Sequence, residues 1–167
     1  MLLQKRSENV PIARTQRRAW FFLTMWLLVI TAFASCADLE DEEDEVMISW
    51  HRDNESHNAG QNCLGCHRSS GSGEGNFTTA GTVYKLDQTR VYPNVTVKIY
   101  HTEKMEQPVE RIEVDGKGNF YTTTPVDWEA GLWVSVTSEN ESRKMPQAVT
   151  DGSCNNCHKG QDRISIN

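Results

Sequence analysis

The sequence is short of positive charge, of helical periodicity and of the side-chain groupings on which hydrolytic and transfer enzymes rely. Of 167 residues, 17 are Lys or Arg and 23 are Asp or Glu, a formal net charge of −6. An acidic chain lacks the phosphate-neutralising face that nucleic acid requires, which argues against that partner. Beyond the first 35 residues no segment repeats its apolar residues with the period of a helix, and no βαβ pattern occurs. No nucleophile–base arrangement, phosphate loop or acid pair stands above background. No cysteine occurs between Cys66 and Cys154. The length is that of one domain with tails.

The N-terminus differs from the rest. Lys5, Arg6, Arg14, Arg17 and Arg18 form a basic start, followed by the apolar run Ala19 to Ala34. That run is short for a membrane span and right for a secretory signal, with small residues at its end; the alternative is a short N-terminal anchor helix. It closes on "FASC", which resembles the lipobox of bacterial lipoproteins, although Phe33 departs from the usual aliphatic residue. The resemblance implies that residues 1–35 are removed and that Cys36 is acylated. Several acyl chains would anchor the chain firmly to a membrane, as a single one does not. Loss of the signal takes the net charge to about −10. Much of that charge lies in "DLEDEEDE", Asp38 to Glu45, a run that repels itself, stays solvated and serves as a tether over residues 36–49. Acid clusters just after a lipid cysteine also resemble surface-export tags of some bacterial lipoproteins.

With Cys36 assigned, four cysteines remain, in two identical motifs: Cys63-x-x-Cys66-His67 and Cys154-x-x-Cys157-His158. Cys-x-x-Cys-His is the form used for covalent haem attachment. Two thiols one helical turn apart can each add to a haem vinyl group, and the adjacent histidine then supplies an axial nitrogen to the iron. A structural zinc held by four cysteines is an alternative, but it needs no histidine after each pair, and such pairs usually lie closer in sequence. Local disulfides fit an exported protein but also ignore the histidines. A redox-active Cys-x-x-Cys belongs beside a βαβ unit, which is missing.

The segments "HNAGQNCLGCH" and "DGSCNNCH" resemble those of bacterial multihaem c-type cytochromes. The resemblance covers the two motif segments alone. It implies two haem c groups, electron transfer, and His67 and His158 as proximal ligands. Each iron then needs a sixth ligand or has an open position. Three histidines remain, His51, His57 and His101, with three methionines, Met47, Met105 and Met145. His57, six positions before Cys63, is the leading distal candidate, for its own haem or the neighbouring one. Met145, nine positions before Cys154 in the loop-like "SRKMPQ", is the candidate for the second haem. Thioether ligation there raises the potential of the iron relative to two histidines.

Between the motifs the pattern is that of strands. "SSGSGEG" after His67 reads as a flexible link. Val95, Val97 and Ile99 share one face of a strand, as do Leu132, Val134 and Val136. "TAGTVY" and "NFYTT" are short and β-branched or aromatic, and "RIEV" and "NFYTT" flank "DGKG", a hairpin signal. The expectation is a mainly-β fold, a small antiparallel β-sandwich of five to seven strands. The run from "GTVYKLD" to "NFYTT" resembles immunoglobulin-like or transthyretin-like sandwich modules over residues 77–138, which implies a scaffold rather than a chemistry. Residues 50–76 then form the first haem c segment with its Ser/Gly link, 77–140 the sandwich and 141–167 the second haem c segment. Four Asn-x-Ser/Thr sequences, at Asn54, Asn76, Asn94 and Asn140, would matter in a eukaryotic secreted chain; beside a lipobox they read as chance in an Asn/Thr-rich sequence.

Taken together, the sequence points to an electron-transfer dihaem c-type cytochrome, exported and lipid-anchored to the bacterial envelope. It is an electron carrier rather than an enzyme, with a redox protein bearing a basic docking face as its partner. Two other classes stay open: a cell-surface binding or adhesion lipoprotein with structural zinc or disulfides, and a haem-based sensor or enzyme with one open iron.

Overall fold

The computed structural model describes residues 46–167. The signal segment, Cys36 and the acidic run up to Glu45 lie outside the described residues. The fold is mainly β. Eight short strands occur: β1 (Thr79–Thr82), β2 (Tyr84–Lys85), β3 (Thr96–Tyr100), β4 (Glu110–Glu113), β5 (Asn119–Thr122), β6 (Trp133–Thr137), β7 (Ser142–Lys144) and β8 (Ser165–Ile166). The one α-helix among the described residues is a single turn, α1 (Cys154–Cys157). No helix among them is long and apolar enough to cross a membrane.

Alternation builds the largest sheet, ordered β4-β3-β6-β7 and antiparallel throughout. Val97 of β3 faces Ile112 of β4 on one side and Val136 of β6 on the other. All three are buried, as the period of two requires for one covered face. With Val83, Val95, Ile99, Val114, Phe120, Trp128, Leu132 and Ile166 they form one apolar cluster.

β1 and β5 form a separate antiparallel ribbon. β1 reads Thr-Ala-Gly-Thr and is buried along its whole length, because it is covered on both faces and takes only small side chains. A Cβ at Gly81 would lie 2.5 Å from the Phe120 ring and 2.9 Å from the Cβ of Cys154. Its free edge is taken by Gly152 and Ser153, with the Ala80 N–H donating to the Gly152 carbonyl at 3.0 Å. The segment around Ile48 and Ser49 adds to the edge of β5.

Three features depart from the sequence reading. "DGKG" makes its turn, with Asp115 Oδ1 accepting from the Lys117 and Asn119 amides at 2.9 Å each and Gly118 at φ +80°. The flanking strands do not pair as a hairpin, however: β4 joins the large sheet and β5 the ribbon, so the turn is a corner between layers. The second departure is that β2 and β8 pair in parallel, against an all-antiparallel expectation. The chain returning after α1 covers the edge of β2, where it buries Ile166 completely. Last, "SSGSGEG" is not a free link. The Gly71 N–H donates to the Arg68 carbonyl at 2.8 Å, and that of Gly73 to the Cys66 carbonyl at 3.0 Å. A Cβ on Gly73 would stand 2.7 Å from the His67 ring, so glycine here serves close approach of the backbone to the imidazole.

Ile112 has no exposed surface and sits between β3 and the rest of the cluster. Ile112→Ala is expected to cost about 3 kcal/mol of stability, read as a lower denaturant midpoint with an unchanged slope.

Candidate functional site

The two Cys-x-x-Cys-His segments are far apart in sequence and adopt the same local structure. Cys63–Gly65 is a 3-10 turn and Cys154–Cys157 a turn of α-helix. In each, the histidine N–H donates to the carbonyl of the first cysteine at 2.9 Å. In each, the first thiol faces the carbonyl two residues upstream, Cys63 toward Gln61 at 3.6 Å and Cys154 toward Gly152 at 3.4 Å.

The rings are fixed in the same way. His67 Nδ1 lies 2.5 Å from the Glu74 carbonyl, and His158 Nδ1 lies 2.8 Å from the Asp162 carbonyl. A carbonyl only accepts, so Nδ1 carries the proton in both and donates it. Nε2 is then the lone-pair nitrogen, and among the described residues neither Nε2 has a hydrogen-bond partner. Backbone carbonyls that orient an imidazole through its other nitrogen are the usual support of a metal-ligating histidine.

Around His67 the site is aromatic. Phe77 stacks on its ring at 4.2 Å and 2°, and Tyr121 stacks on Phe77 at 4.7 Å. The exposed His57 places its ring centroid 5.8 Å from that of His67, tilted by 40°. Two imidazoles sharing one metal at about 2 Å per bond have centroids about 6 Å apart. His57 therefore stands beside its own motif.

Around His158 the site is a cavity of about 750 Å³, inside the ~300–1,000 Å³ range of cofactor sites. Val97, Phe120 and Val136 give it an apolar floor, while Cys154, Cys157, His158 and Met145 also line it. The Met145 amide donates to the Val134 carbonyl at 2.9 Å, which holds this residue at the edge of β6. Arg143, Lys144 and Arg163 line the same cavity. Arg163 lies 4.5 Å over the Tyr84 ring and donates to the Gln88 carbonyl. The cavity opens to the surface, with core side chains at its base.

The other sequence candidates lie elsewhere. His51 has partners on both nitrogens, the Val95 carbonyl at 3.2 Å and Glu113 Oε2 at 3.6 Å. His101 is exposed in the bend after β3. All four described cysteines are free thiols. Among the described residues no three His, Cys, Asp or Glu side chains converge as a metal cluster.

The two motifs also touch. Ser153 donates to Asn62 Oδ1 at 2.6 Å; each is the residue just before the first cysteine of its motif. Asn155, inside the second motif, donates to the Gln61 carbonyl at 2.8 Å and to Thr82 Oγ1 at 3.0 Å, and accepts from the Thr82 amide at 3.0 Å. Asn62, Phe77, Thr82, Ser153 and Asn155 were not legible as site residues, since nothing in their type marks them. The polar Asn-Asn pair inside the second motif is the one signal that could have been followed.

Comparison of the chain with protein-family models gives no match. Neither curated proteins nor solved structures give one.

Burial pushes the Cys154 thiol up from 9.0 to about 12, with the Asp151 carboxylate adding to it. Burial also raises Cys63, while Cys66 and Cys157 are exposed. In haem-free chain, alkylation at mildly alkaline pH is expected at Cys66 and Cys157 first and at Cys154 last, read by peptide mass. Below pH 9 the Cys154 thiol is protonated in both folded and unfolded chains. Between 9 and 12 only the unfolded chain releases the proton, so the stability of haem-free chain falls as pH rises through that window.

Proposed function

We propose that the protein is an exported, lipid-anchored dihaem c-type cytochrome that carries electrons. The observation that supports this best is the repeated geometry: two separate Cys-x-x-Cys-His turns, each with its histidine held through Nδ1 and its Nε2 left for a metal. A disulfide or a thiol redox motif has no use for either feature, and a zinc held by four cysteines needs no histidine after each pair.

The residues present fit haem c. Cys63 and Cys66 would hold one group and Cys154 and Cys157 the other, with His67 and His158 as proximal ligands. His57 would complete the first site and Met145 the second. Bound there, haem supplies reversible one-electron exchange. The protein's part is to hold the imidazoles through the Glu74 and Asp162 carbonyls, to cover one site with the apolar floor of the cavity, and to set unequal ligand fields. A thioether partner favours the reduced metal more than a second imidazole does. Arg143, Lys144 and Arg163 suit the carboxylates of the second group and add to that bias. On this reading the strands are a two-layered sandwich, antiparallel except where β2 pairs β8, a scaffold between the two haem segments. The acidic chain favours a basic redox partner.

The test is the holoprotein's spectrum with and without carbon monoxide. Both sites are expected to be six-coordinate and low-spin, with no shift on adding the gas. His57→Ala and Met145→Ala are each expected to open one of the two sites and to gain the shift there alone. If the unmodified protein binds carbon monoxide at one site, the carrier reading gives way to a sensor or enzyme with an open iron.

A further inference from the structure

Asn155 occupies a position that the attachment chemistry leaves free, between Cys154 and Cys157. It is nevertheless 3% exposed, and its amide is fully used, with two bonds given by Nδ2 and one accepted by Oδ1. Those partners also settle its orientation, since only Nδ2 can face a carbonyl. Thr82, at the end of β1 and wholly buried, is equally saturated. Its hydroxyl accepts from the Gly60 amide at 2.8 Å and from Asn155, and donates to Asn119 Oδ1 at 2.7 Å. Asn119 in turn donates to Ser56 Oγ at 2.9 Å and to the His57 carbonyl at 3.2 Å. One connected, largely buried network therefore reaches the backbone of His57, Gly60 and Gln61 and the interior of the second motif. The Ser153–Asn62 bond ties the two motifs a second time, beside its edge.

Such networks, when every member is satisfied, hold a single arrangement. Neither motif can shift without breaking bonds to the other. Resting on the dihaem reading, we propose that Asn155 and Thr82 are positioning residues that lock the two haem sites into one mutual geometry, so that they behave as a coupled pair and not as two independent carriers. Two strong chromophores locked in one mutual geometry would split each other's absorption, and a charge gained at one site would shift the potential of the other.

The experiment uses holoprotein in circular dichroism across the main haem band, with potentiometric titration alongside. Unmodified protein is expected to show a two-signed couplet. Asn155→Leu and Thr82→Val are expected to lose or greatly reduce it and to narrow the separation between the two titration steps. They should keep two haems per chain, the same axial-ligand spectrum and a cooperative melt. Ser153→Ala, at the network's edge, should weaken the couplet in the same direction and serves if the interior variants do not fold. An unchanged couplet in these variants overturns the assignment, as does its loss only together with the ligand spectrum, which marks a purely structural role. A missing couplet in unmodified protein that carries two haems overturns the coupling and leaves the dihaem reading standing.

Discussion

The hydrogen bonds of Asn155 to Thr82 and Gln61 tie the second Cys-x-x-Cys-His motif to β1 and to the first motif. The two motifs flank all but one of the strands in sequence, and a small β domain has no large apolar surface with which to hold its ends. Here the second motif is anchored through an amide that enters the layer beside β1, where Gly81 leaves room for the turn to approach. Each bond in such a network contributes only about 1 kcal/mol net, but an orphaned buried partner costs about 1–3 kcal/mol. That asymmetry specifies position more than it adds stability, and position is what two adjacent sites require.

The histidines follow the same logic on a smaller scale. An imidazole on a surface turn rotates freely and binds poorly in any one orientation. His67 is held by the Glu74 carbonyl, by the stacked Phe77 and by a loop whose Gly73 has no side chain to intervene. His158 is held by the Asp162 carbonyl beside an open cavity. The supports are alike at Nδ1 and unlike elsewhere, one site aromatic and histidine-flanked, the other apolar-floored with Met145 and cations at its rim. We read this as one attachment chemistry used twice to obtain two unequal electron sites.

What could be read from the sequence follows the range over which each signal acts. Val95, Val97 and Ile99 alternate because a half-covered strand requires it, and the turn at Asp115 to Gly118 is set by its own residues. The destination of the strands after that turn depends on which edges are open, and no local pattern records that; hence the hairpin that is a corner. The parallel pairing of Ser165 and Ile166 depends likewise on an edge at Tyr84 that exists only once the sheet has formed. The motifs stand out because the chemistry proposed for them dictates the spacing of Cys and His. Phe77, Asn155 and Thr82 do not, because ordinary residues gain their roles from contacts made across the whole chain. The glycines after His67 misled for the same reason, since a glycine needed for close approach reads the same as one in a free linker.

The most direct test of the account is the intact mass of the denatured mature protein, made in a host that matures c-type cytochromes. The account predicts two covalent haem increments on every chain, lost one at a time in Cys63→Ser/Cys66→Ser and Cys154→Ser/Cys157→Ser. A chain with no increment and four intact thiols, or with two disulfides, would contradict it.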